Sequence, residues 1–233
     1  MTRISSKLVS LCAAGACLLA MNAAHAQLSA LGGLASSLGG MLSNTVNPMA
    51  GGDAYDVDGF VRKSAELSEI AGRSVTAINA AFASEEQLMA KRAALAAIAA
   101  VADPKERAAA YRALYEAEAS ETRRLIDSGD MEKRMAMLDS DKKKLIGQAL
   151  LNFAIGALQA VELGRQGKAM AASVGLNPME LVRVAPVKDA IPMLAKVAID
   201  VSGFMGTVVK LARSADIAVP KVGADSKAVA LNV

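Results

Sequence analysis

The sequence predicts an all-α fold: a single bundle of about five to six helices with long antiparallel hairpins. Three observations predict it. Apolar residues recur at three- and four-residue spacing through most of the chain after residue 56. Two helix start signals, Ser84-Glu85-Glu86-Gln87 and Asp103-Pro104-Lys105-Glu106, punctuate that pattern at helical lengths. One stretch, Leu145–Leu163, carries strongly polar side chains only at Gln148, Asn152, Gln159 and Glu162. A helix so apolar around its circumference must be covered by other helices or by lipid.

The chain opens with a secretory signal pattern. Arg3 and Lys7 precede an apolar run, Leu8–Met21, and Ala24-His25-Ala26 is a small-x-small cleavage site. Cleavage after Ala26 would leave a periplasmic or secreted protein of bacterial origin. It would also remove Cys12, Cys17 and His25, the only cysteines and the only histidine. The remaining chain has neither disulfides nor thiolate or imidazole chemistry, so zinc, haem and copper sites of those types, Cys nucleophiles and His bases are excluded. No cofactor or metal is expected, and no enzyme. Charge after cleavage is nearly balanced: 26 − 2 = 24 Lys+Arg against 23 Asp+Glu. That balance gives no reason to bind nucleic acid. Seven aromatics, three Tyr and four Phe, are too few for the stacking faces of sugar- or base-binding sites.

Residues 27–55 read as an uncharged Gly/Ser/Leu arm followed by a linker. Leu28, Leu31, Leu34, Leu38 and Met41 would form one apolar stripe on a helix. Gly32-Gly33 and Gly39-Gly40 weaken such a helix by about 1 kcal/mol per glycine, so the arm would order only against a membrane or a partner. The bundle domain is expected over 56–219. Asp56 or Asp58 caps a first helix that carries Val57, Phe60, Leu67, Ala71, Val75 and Ile78 in register and stops near Ala83. The capping box at Ser84 opens a second helix with Leu88, Leu95, Ile98 and Val101. The third, from Pro104, sets Tyr111, Tyr115 and Leu125 on one side, with Glu116, Glu118, Glu121, Arg123 and Arg124 largely opposite. Asp127-Ser128-Gly129-Asp130 ends it, and Met131, Met135 and Leu138 line a short piece.

Asp139-Ser140-Asp141 can cap the long apolar helix. Lys142-Lys143-Lys144 then stand in its first turn, where the helix dipole disfavours cations. Either the helix runs through from Asp130, or these lysines are solvated or meet an anionic headgroup. Leu145–Leu163 could span a bilayer by length, but its polar residues and the cations before it oppose that. Asn177-Pro178 starts a short helix, Pro186 and Pro192 bracket a bend, and a last helix is expected over about Ala190–Arg213. Its Ile191, Leu194, Ala198, Val201, Met205, Val208 and Ala212 alternate steps of three and four. Such a seam at 191–212 could also pair two copies of the chain. The segment 220–233 lacks an apolar period and is expected to hang free.

Two ridges of small residues stand one turn apart: Gly156, Ala160 and Gly164 on the apolar helix, and Ala198, Ser202 and Gly206 on the last. The expectation is that they face each other as a close antiparallel pair. The functional expectation is an exported, non-enzymatic interaction or structural module of the cell envelope, acting on a protein or a lipid surface. The alternatives are a carrier of an apolar ligand around Phe153 and Phe204, or a membrane-active protein that inserts Leu145–Leu163.

Overall fold

A computed structural model describes residues 56–173, 178–222 and 226–233. The signal, the Leu28–Met41 stripe and the cap at Asn177 lie outside the described residues. Among those residues there are no strands. The helices are α1 (Val57–Ala80), α2 (Glu85–Ala99), α3 (Pro104–Asp127), α4 (Asp130–Ala136), α5 (Ser140–Ser173), α6 (Pro178–Ser202) and α7 (Phe204–Ser214). The expected all-α bundle is what forms. α5 and α6 make its longest hairpin, and α1 lies against α3, α5 and α6.

The start signals act as their chemistry dictates. The Asp56 carboxylate accepts from the Gly59 N–H at 2.7 Å. Ser84 and Gln87 form the reciprocal capping box, and Asp103 accepts from the Glu106 N–H at 2.8 Å. Gly129 takes φ 71 between α3 and α4, a left-handed conformation that glycine adopts without a Cβ clash. The Asp139 carboxylate accepts from the Lys142 N–H at 2.8 Å, so α5 begins there and does not continue from α4. Lys142 and Lys143 therefore do occupy the first turn, and Lys144 begins the second. Lys142 and Lys144 are exposed, where solvent screens their unfavourable position.

The oiliest helix is buried by protein, but α1 is the more enclosed element: 15 of its 24 residues are buried, against 13 of 34 in α5. Composition hides this because α1 is rich in hydroxyls. Ser64, Ser68, Ser74 and Thr76 each donate to the carbonyl four residues earlier, at 2.6–2.9 Å. Their polar atoms are thereby satisfied within the helix, and their small volume lets neighbours approach. A Cβ at Gly72 would stand 3.1 Å from the Tyr111 carbonyl oxygen, which marks the tight α1–α3 crossing.

Three expectations about the end of the chain are corrected. Pro186 and Pro192 lie inside one helix, α6, instead of bracketing a bend between two. Each removes one helical N–H donor, the tolerated defect of a proline whose helix is held by its neighbours. The last helix does not run unbroken to Arg213: it breaks at Gly203, which separates α6 from α7. Within the seam, Leu194, Val201, Met205, Val208 and Ala212 are buried in the chain's own core, so these side chains are not displayed to a second copy. Finally, the described residues after 220 do not hang free. Val222 is buried, Leu231 and Val233 pack against the core, and Asn152 holds Val229.

Candidate contact surfaces and binding cleft

The aromatic centre of the bundle is filled. Phe153 of α5 lies between Tyr115 and Phe204, with ring centroids 6.4 Å from each. All three are buried, so around Phe153 and Phe204, where an apolar ligand is one expectation, the structure places ring against ring. Beside them sits a buried polar tie. The Tyr115 hydroxyl donates to Asp200 Oδ2 at 2.5 Å, and Arg123 Nη2 donates to Asp200 Oδ1 at 2.6 Å. The same guanidinium lies 4.6 Å from the Phe204 ring centroid. α3 is thus bound to the end of α6 and the start of α7, at the helix break.

Burial, and then the hydrogen bond to the Asp200 carboxylate, push the Tyr115 phenol far above its ordinary pKa of 10.0. The folded state therefore keeps the proton after the unfolded chain has lost it. This stabilisation is complete below pH 10 and is lost as pH rises above it. Wild-type protein is expected to lose about 1.4 kcal/mol of stability per pH unit more than Tyr115→Phe above pH 10. Urea melts of both proteins between pH 9 and 11 measure this; parallel pH profiles would refute it.

A second buried tie holds α2. The Glu118 carboxylate accepts from Lys91 Nζ at 2.5 and 2.7 Å and from Asn79 Nδ2 at 2.6 Å. Thr122 Oγ1 lies 2.9 Å from Asn79 Oδ1. Glu118, assigned by its spacing to the solvated face of α3, is 7% exposed. A carboxylate is buried here because two donors from other helices meet it. No residue of α2 is itself buried.

The open site is a cleft of about 650 Å³ between α1, the start of α3 and the middle of α6. Ala108, Tyr111, Met193 and Leu194 form its buried floor. Around it stand four carboxylates, Asp58, Glu66, Glu69 and Asp189, and four cations, Arg62, Lys105, Arg107 and Arg112. The Ser64 and Ser68 hydroxyls that line it are committed to their own helix backbone. The Tyr111 hydroxyl lies 3.4 Å from Glu69 Oε1 and 3.3 Å from Arg73 Nη2. At Arg73, burial works to lower the pKa; Tyr111 and Glu69 outweigh it and raise the guanidinium above its ordinary value. Such a cleft can hold an amphiphile, with apolar floor below and balanced charge above.

The expected ridge pairing is not what forms. A Cβ on Gly156 would meet Ile70 of α1 at 3.3 Å, one on Gly164 would meet nothing within 4 Å, and one on Gly206 only the Val201 carbonyl of its own chain. Ala160 is buried, Ala198 is half-buried, and Ser202 turns its hydroxyl back to the Ile199 carbonyl. The break at Gly203 is the reason: it puts Gly206 on α7 and splits the second ridge between two helices. Among the glycines of α5, the closest backbone approach is at Gly147, where a Cβ would stand 2.6 Å from the Ala218 carbonyl oxygen.

Sequence spacing also missed an exposed aliphatic group. At the start of α6, Met179 is 82% exposed, Val182 77% and Leu181 39%. They stand at the end of the α5–α6 hairpin. α5 and the stretch Met179–Ser214 are each long and apolar enough to cross a membrane by length and composition, with 56% and 44% of their most apolar windows buried. Exposed cations, Arg165, Lys168, Arg183 and Lys188, lie on the adjoining turns of the two helices. No family model, curated protein or solved structure matches this chain.

Proposed function

We propose that this protein is an exported, non-enzymatic contact module of the bacterial cell envelope, which docks through the end of the α5–α6 hairpin. The observation that carries the reading is the exposed group Met179, Leu181 and Val182, flanked by cations. Exposed aliphatic side chains at a helix end, with Glu180 among them and Arg165, Lys168, Arg183 and Lys188 on neighbouring turns, suit a lipid surface or an apolar patch on a protein. The export signal at Arg3–Ala26 supports the envelope assignment. The absence of Cys and His from the chain beyond Ala26 argues against most catalytic chemistries. The uncharged stripe Leu28–Met41 would add a second contact in the same compartment.

The test compares wild type with Met179→Asp/Val182→Asp in two arms. One is flotation with phosphatidylglycerol-containing vesicles; the other is cross-linked co-purification from the envelope. Both substitutions lie on exposed positions, so the melting temperature should change little. A tenfold or greater loss in one arm is expected, and the arm that responds identifies lipid or protein as the surface. Unchanged behaviour in both arms would overturn the reading. A second reading, a carrier, has one observation in its favour: the cleft under α6, with its apolar floor and charge-balanced rim. Native mass spectrometry of envelope-extracted protein would reveal a retained amphiphile.

A further inference from the structure

Asn152 stands in the most apolar stretch of the chain and is only 5% exposed. Its side-chain amide is matched by one peptide group. Asn152 Nδ2 donates to the Val229 carbonyl at 2.7 Å, and the Val229 N–H donates to Asn152 Oδ1 at 2.8 Å. A side-chain amide used this way reads main chain, as a neighbouring strand would, and is indifferent to the residue it holds. Four residues on, Arg92 Nε of α2 donates to the Val233 main-chain oxygen at 2.8 Å. Between these two fixtures Leu231 and Val233 pack against the core, while Ala230 and Asn232 are exposed. Over 230–233 covered and exposed side chains alternate, as in an extended segment, while Val229, 36% exposed, is held through its main chain. Residues 226–233 contain no helix.

We infer that the groove between Asn152 and Arg92 is a peptide-binding site, occupied in cis by residues 226–233 and open in trans to an extended segment of a partner protein. The ligand class follows from the seated segment: an extended peptide with aliphatic side chains at alternate positions and an unsubstituted peptide N–H opposite Asn152. Three main-chain hydrogen bonds, two at Asn152 and one at Arg92, set its register, and two aliphatic side chains give its preference. Residues 226–233 hold the site because they are tethered, at an effective concentration on the order of mM. A partner segment must exceed that advantage, so occupancy in trans depends on partner abundance. This site lies on different residues from the α6 docking end, and its failure would leave that reading intact.

The test uses the full chain and, as probe, a fluorescently labelled peptide of residues 226–233. Val229→Pro/Leu231→Asp removes the donated N–H and one aliphatic contact, and so frees the groove without altering a helix. Fluorescence anisotropy should show saturable binding to this variant, at least tenfold tighter than to wild type. Adding Asn152→Ala should weaken that binding at least tenfold, and a peptide N-methylated at the position of Val229 should not bind. Equal affinity of the freed variant and wild type would overturn the proposal, as would affinity insensitive to Asn152→Ala. Helical content checked by circular dichroism confirms that each variant compared is folded.

Discussion

Asp200→Ala is expected to destabilise the bundle by about 3–4 kcal/mol, the lower part of the range for removing one partner of a buried ion pair, because Asp200 is buried while Arg123 is 37% exposed. The carboxylate accepts from the Tyr115 hydroxyl and anchors Arg123. Without it the phenol is left in the core with no acceptor, and the Arg123 guanidinium over Phe204 loses its counter-charge. For a domain of this size, such a loss lowers the melting temperature by roughly 6–16 °C. Asp200→Asn, which keeps an oxygen for Tyr115, should fall between wild type and Asp200→Ala. Differential scanning calorimetry gives all three values. An alanine variant within about 1 kcal/mol of wild type would show that the tie contributes little.

Glu118→Ala should have the second-largest effect, about 3 kcal/mol, and a local signature besides. α2 buries none of its residues, so apolar packing holds it weakly. Its Lys91 reaches a carboxylate on α3 that Asn79 of α1 also engages. Removing the carboxylate strands the Lys91 ammonium, 19% exposed, without a partner. Hydrogen exchange of the amides in Glu85–Ala99 should then quicken selectively, while those of α1 keep their protection until global unfolding. Uniform acceleration across both helices would mean that α2 is not a separately opening unit.

These two residues mark the limit of what spacing alone reveals. Caps are legible because their chemistry is local: Asp56, Ser84 and Asp103 bond to groups three residues away, and each starts the helix it should. The apolar face of α1 is legible at Leu67, Ala71, Val75 and Ile78 for the same reason. Glu118 and Asp200 are not, because a carboxylate is drawn inward only by donors 27 to 85 residues away in sequence. The ridge pairing failed on one residue, Gly203, because heptad spacing continues across it while the helix does not. The segment 226–233 was illegible for want of helical period; its order depends on Asn152, a polar residue that the surrounding hydropathy made look like a defect.

The enclosed hydroxyls of α1 carry one last implication, for how this chain can drift in sequence. Ser64, Ser68, Ser74 and Thr76 each return their hydrogen to their own helix, so nothing outside it consults their polarity. What the surrounding helices measure at those places is volume. Alanine, or cysteine where the compartment tolerates it, is admissible there. Leucine is not, although any hydropathy ranking would score it the better resident of a protein interior.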